Sequence, residues 1–112
     1  MIGLLPPPLV FQERRWPTEV LTGMATAWRD SLRKEFHAPG RPIAMVMANH
    51  PESVALLFGL SSFPRPLILL PPDPRPWRSS PPLPTGTRLV LLRAQQHLEA
   101  DARSLDLDVT FL

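Results

Sequence analysis

The chain has 112 residues, 44% apolar and 20% charged, with a formal net charge of +2, 16 prolines and no cysteine. That length suits one small domain or a piece of a larger one, and the absence of cysteine excludes disulfides and thiolate metal sites. Eleven arginines against a single lysine, Lys34, raise the isoelectric point, but a surplus of two charges is not the electrostatic footprint of a nucleic-acid binder.

No nucleic-acid partner is therefore expected. No apolar run approaches the ~20 residues that a membrane-spanning helix needs, so no membrane span is expected either. The stretch Met1 to Pro8 has no charged leader and is interrupted by Pro6, Pro7 and Pro8, so it does not read as a signal peptide. A cytoplasmic protein is the expectation. The prolines, far above the typical share of about 5%, gather around 6–8, 64–66, 71–76 and 81–84. They lie between the periodic segments, which marks rigid loops in a folded domain.

Residues 1–16 read as an N-terminal arm, with Leu4, Leu5, Leu9, Val10 and Phe11 in extended form, and 17–112 as an α/β subdomain. A helix is predicted from Thr18, as N-cap, to Phe36, because Leu21, Met24, Ala25, Trp28, Leu32 and Phe36 follow three- and four-residue spacing. Arg29, Asp30, Arg33 and Lys34 make its solvated face, and Ala38-Pro39-Gly40 stops it.

Ile43 to Ala48 is uniformly apolar, which suits a central parallel strand. Asn49-His50-Pro51-Glu52 then turns into a helix. Pro51 fits the first helical position, where its missing N–H costs nothing. Glu52 complements the positive end of the helix dipole, His50 falls at the N-cap, and Asn49 tolerates a turn conformation. The helix 51–61 is apolar nearly all round, as expected of a helix buried between layers. Leu67 to Leu70 is a second strand, and a strand–helix–strand run is the βαβ unit of a parallel sheet.

From Pro71 to Thr85 no helical period is present, and a stiff, extended connection is predicted. Arg88 to Leu92 reads as a third strand, Ala94 to Ser104 as a helix with Leu98, Ala102 and Leu105 on one stripe, and Asp108 to Leu112 as a fourth strand. The expected fold class is α/β, a small, mostly parallel sheet of about four strands with flanking helices. Ending on a strand with no polar tail suggests a fragment of a longer chain; the alternative is a short domain that ends on an edge strand.

The residues that usually carry chemistry are scarce. Five dispersed glycines make no dinucleotide or phosphate loop, no serine sits in a nucleophile elbow, and His37, His50 and His97 have no metal-ligand rhythm. Two weak candidates lie beyond the carboxyl ends of strands, where parallel sheets bind ligands: His50, for which capping is the plainer role, and Asp73, for which a turn carboxylate is. Pro71-Pro72-Asp73-Pro74-Arg75-Pro76-Trp77-Arg78 has the composition of a polyproline ligand for a partner domain, although its position between two buried strands argues that Trp77 packs inward.

The ordered run of strand, Asn49-His50-Pro51-Glu52, apolar helix, strand and Leu70-Pro71-Pro72-Asp73-Pro74 exit resembles the early part of the AMP-forming acyl-adenylating ligases, the superfamily of acyl-CoA synthetases, peptide-synthetase adenylation domains and luciferases. The chain departs from that pattern at Ser61-Ser62-Phe63-Pro64-Arg65, where the family has a glycine-containing turn, and after Pro74, where the family has a helix. The resemblance implies an N-terminal scaffold subdomain of a larger fold. It also implies an intact enzyme that uses ATP and Mg²⁺ to make an acyl-adenylate from a carboxylic acid and passes the acyl group to a thiol such as coenzyme A.

In the family the phosphate loop with its lysine, the ribose-binding aspartate and the catalytic lysine lie downstream of this region. No catalytic, cofactor-binding or metal-binding residue is therefore assigned to this chain, which is expected to be inactive by itself. Asn49, Pro51 and Glu52 are expected to be a structural motif. The expected partner is the remainder of the parent ligase, or another copy through exposed apolar surface. The rival is a stand-alone, non-catalytic α/β interaction module that uses its proline-rich loop.

Overall fold

The computed structural model describes residues 9–11, 14–78 and 83–112. They form two units, one made of the residues up to Gly40 with Asn49–Pro64, the other of Arg41–Ala48 with Arg65–Leu112. The expected arm up to Pro8 lies outside the described residues.

In the first unit, β1 (Leu9–Phe11) and β2 (Arg14–Trp16) pair antiparallel, with Leu9 opposite Trp16. The end of the arm is therefore extended, and it is paired with itself. Helix α1 spans Thr18–Phe36 and buries Leu21, Ala25, Leu32 and Phe36. Met24 and Trp28 from the predicted stripe are half-buried. The N-cap is Pro17, not Thr18, and no side chain caps it. Pro17 has extended backbone angles, and its carbonyl accepts from the N–H groups of Val20 and Leu21 at 3.1 and 3.2 Å. Proline there leaves Thr18 inside the first turn.

Helix α2 (Pro51–Leu60) has no exposed residue, in keeping with its apolar circumference. It packs on α1 at Gly59, where an added Cβ would stand 2.9 Å from the carbonyl oxygen of Ala25. The absent side chain lets the two backbones approach. Phe36 and Phe63 add a tilted ring contact, with centroids 5.8 Å apart.

The second unit is a four-stranded sheet of β3 (Ile43–Val46), β4 (Leu67–Leu70), β5 (Arg88–Leu91) and β6 (Asp108–Phe111), all parallel, in the order β4-β3-β5-β6. The fold is α/β, as the sequence predicts. All four residues of the central strand β3 are buried, which explains its unbroken apolar run. Ile43 aligns with Leu67 on one side and Arg88 on the other. Ladder-like bonds from Met47 N–H to Leu70 O and from Leu112 N–H to Leu91 O extend the pairing beyond β3 and β6.

One face of this sheet packs Ala44, Val46, Leu89 and Leu91 against Leu98, Ala102, Leu107 and Trp77. The predicted helix from Ala94 divides into a 3₁₀ segment, Arg93–Leu98, and a short helix α3, Glu99–Ser104. The tighter turn begins where the Gln95 side chain bonds back to Leu92 N–H. After α3, Asp106 takes a left-handed φ of 58°. Leu107 N–H bonds to Ala102 O and Asp106 N–H to Arg103 O, the paired bonds that close a Schellman C-cap.

The connection after β4 is also corrected. It contains a 3₁₀ turn, Arg75–Arg78, in place of a wholly extended run. Proline fixes φ near the value that a 3₁₀ turn uses, and Trp77 N–H closes the turn on Pro74 O at 3.1 Å. Among the described residues, no helix is long and apolar enough to cross a membrane.

Candidate functional site

The strand-to-helix turn after β3 is built by its own four residues. His50 is the N-cap of α2, with extended backbone, and its Nδ1 accepts from Glu52 N–H at 3.1 Å. That bond requires an unprotonated Nδ1, so the hydrogen of a neutral ring sits on Nε2. Pro51 occupies the first turn and is buried, Glu52 lies at the positive end of the helix dipole, and Asn49 is exposed. The indole of Trp16 meets the His50 ring edge-on, with centroids 5.6 Å apart and an interplanar angle of 71°. His50 is thus held by a backbone bond and an aromatic contact, the geometry of a positioned cap.

Asp73 belongs to the second unit. It folds back on Arg75: the backbone N–H of Arg75 reaches Oδ1 at 2.9 Å, and its Nε and Nη2 reach Oδ2 at 2.9 and 2.6 Å. The Arg75 guanidinium, through these hydrogen bonds first, holds the Asp73 carboxyl below its usual range. Asp73 in turn raises Arg75 further. The pair saturates both Asp73 oxygens and shapes the proline-rich turn. Trp77 lies two residues on, 4% exposed, with Nε1 donating to Pro71 O at 2.8 Å. Its face is therefore committed to the core and is not offered to a base or a peptide groove.

Sequence reasoning missed Gln95. In this sheet β3 leads to β4 on one side and β5 leads to β6 on the other, so the chain order reverses between β3 and β5. Open α/β sheets bind ligands outside the carboxyl ends of the strands at such a reversal. Here Gln95 occupies that position. Its Nε2 donates to Val46 O and its Oε1 accepts from Leu92 N–H, both at 3.1 Å, and the residue is 6% exposed.

The side chain at the switch point is a neutral amide with both ends bonded to backbone. It can join two strand ends, but it offers no charge to a phosphate. A polar residue flanked by Leu92 and Leu98 was the available signal, but spacing alone does not distinguish a buried glutamine from a solvated one.

Among the described residues no group of three or more His, Asp or Glu side chains is placed to hold a metal ion. Comparison with family models, with curated proteins and with solved structures finds no match.

Proposed function

We propose that this chain is the N-terminal scaffold subdomain of an AMP-forming acyl-adenylating ligase, and that it is cytoplasmic and inactive by itself. The observation that carries the reading is the turn Asn49-His50-Pro51-Glu52. It links the buried strand β3 to α2, from which the chain returns as β4, the parallel neighbour of β3, and leaves through Pro71-Pro72-Asp73-Pro74. That order of elements and residues underlies the resemblance.

The scaffold role fits the chemistry of the residues. Asn49, Pro51 and Glu52 shape a helix start, Asp73 is consumed by Arg75, and Gln95 seals the switch point. The residues at the strand ends, Asn49, Asp73 and Gln95, do not fit ATP, Mg²⁺ or coenzyme A. Lys34, the single lysine, is exposed on α1, and the sequence has no Ser/Thr/Gly-rich loop, so no adenylation step is derived for this chain.

The partner in this reading is the remainder of the ligase, with another copy as the alternative. β4 and β6 each have one strand neighbour among the described residues, and Leu69 and Phe111 are 48% and 40% exposed on them. Such edges invite further pairing.

The deciding experiment reads the gene or transcript past the codon for Leu112. An open frame running into a Ser/Thr/Gly-rich loop with lysine is the expected result. A stop codon there overturns the reading in favour of a stand-alone module. Hydroxamate trapping tests the inactivity: ATP-dependent activation of a carboxylic acid by this chain alone would sink it.

A further inference from the structure

Arg29 and Arg33 on the last turns of α1 and His37, its C-cap, follow at successive four-residue steps. Together with Ser62, Phe63 and Pro64 they line an open cavity of about 330 Å³ within the first unit, at the lower end of the size range of small-ligand sites. We propose that this cavity binds a small, multiply charged phosphate anion. The inference goes beyond the scaffold reading and does not depend on it.

Charge spacing, weak local pairing and the cavity lining support it. Like charges one helical turn apart repel, so Arg29 and Arg33 are unfavourable neighbours on α1. The adjacent stripe is different, because Asp30 and Lys34 have the favourable acid-then-base spacing. Asp30 also touches Arg29, with Nε 3.5 Å from Oδ1 and the Arg29 and Asp30 side chains 46% and 59% exposed; a pair so long and so solvated is weak. No carboxylate is among the residues that line the cavity.

One carbonyl at the helix end is already paired, and Arg33 and Lys34 in the last turn offset the negative end of the helix dipole. The carbonyl of Arg33 accepts from His37 N–H at 2.9 Å and lies 2.8 Å from His37 Nδ1. A carbonyl can only accept, so Nδ1 carries a proton, which settles the ring's orientation. The Ser62 hydroxyl donates to Gly59 O at 2.7 Å, and Phe63, 8% exposed and packed on Phe36, makes a fixed wall.

The charge pattern selects the ligand class. A carboxylate saturates one guanidinium fork, whereas the several oxygens of a phosphate serve two forks at once. A diphosphate also cancels more of the Arg29–Arg33 repulsion than a singly charged anion.

The test titrates inorganic pyrophosphate into the full chain and follows backbone amides by NMR, with sodium chloride matched for ionic strength as the control. Saturable shifts centred on residues 29–37 and 61–64 are expected. Arg29→Gln with Arg33→Gln should weaken binding by about tenfold or more, the loss of at least one charge-assisted bond. Both side chains are exposed, so the double variant should keep a dispersed spectrum. Shifts that merely follow ionic strength, or a double variant that is folded and binds as tightly, would overturn the proposal.

Discussion

Gln95 Nε2 donates to the carbonyl oxygen of Val46 across 49 positions of sequence, tying the turn after β5 to the last residue of β3. The same side chain receives Leu92 N–H, so one buried amide closes two strand ends. Replacing it with leucine preserves volume and strands both backbone groups. A buried group left without its bond costs about 1–3 kcal/mol, and Gln95→Leu should therefore lower the urea midpoint clearly, with an unchanged denaturant slope. A midpoint equal to that of the parent would show that water replaces both bonds.

The two glycines of the helical pair should respond in opposite directions. Gly59→Ala places a methyl 2.9 Å from the carbonyl oxygen of Ala25, a backbone atom that cannot swing away. Overpacking costs about 1–3 kcal/mol, enough to exceed the gain of up to ~1 kcal/mol from better helix propensity. At Gly23 nothing lies within 4 Å of the added Cβ, so Gly23→Ala should realise that gain. Thermal melts of the two variants check the pair of signs.

At the start of α2, His50→Ala removes the acceptor for Glu52 N–H and should cost about 1 kcal/mol. His50→Asp restores an acceptor but not the ring that meets Trp16. Its stability should fall between those of His50→Ala and the parent, and the remaining gap measures the aromatic contact. Equal stabilities of the two variants would assign the whole effect to Trp16.

Asp73 should titrate below 3.8, the ordinary value for such a carboxyl, because the Arg75 side chain bonds its ionised form. A group whose folded value is depressed contributes stability that is present above the unfolded value and fades as pH falls through the folded one. Solvent screens this exposed pair, so the clear readout is the carboxyl carbon shift of Asp73. Arg75→Gln should bring its midpoint back toward 3.8, and an unmoved midpoint would contradict the assigned cause.

Much of the local architecture was readable from residue spacing. The period of Leu21, Ala25, Leu32 and Phe36 marks the buried face of α1, the unbroken run at Ile43 marks a strand with neighbours on both sides, and Pro51 marks a helix start. These signals are local: backbone angles and side-chain periodicity are written into consecutive residues. At the ends of elements the signals were less sufficient. Thr18 had a capping composition, yet Pro17 sets the boundary; the stripe of Leu98, Ala102 and Leu105 marked a helix from Ala94, yet its first part, Arg93–Leu98, tightens to 3₁₀ around the Gln95 bond.

The sequence by itself determined that helices and parallel-type strands alternate, where each is centred, and that the turn after β3 starts a helix. Only the tertiary structure decided the strand order β4-β3-β5-β6, the burial of Gln95 at the reversal between β3 and β5, and the meeting of Arg29, Arg33 and His37 with Ser62–Pro64. The physical reason is distance along the chain. Strand order and cavity walls depend on which far-apart segments pair, and no spacing rule within a segment encodes its partner.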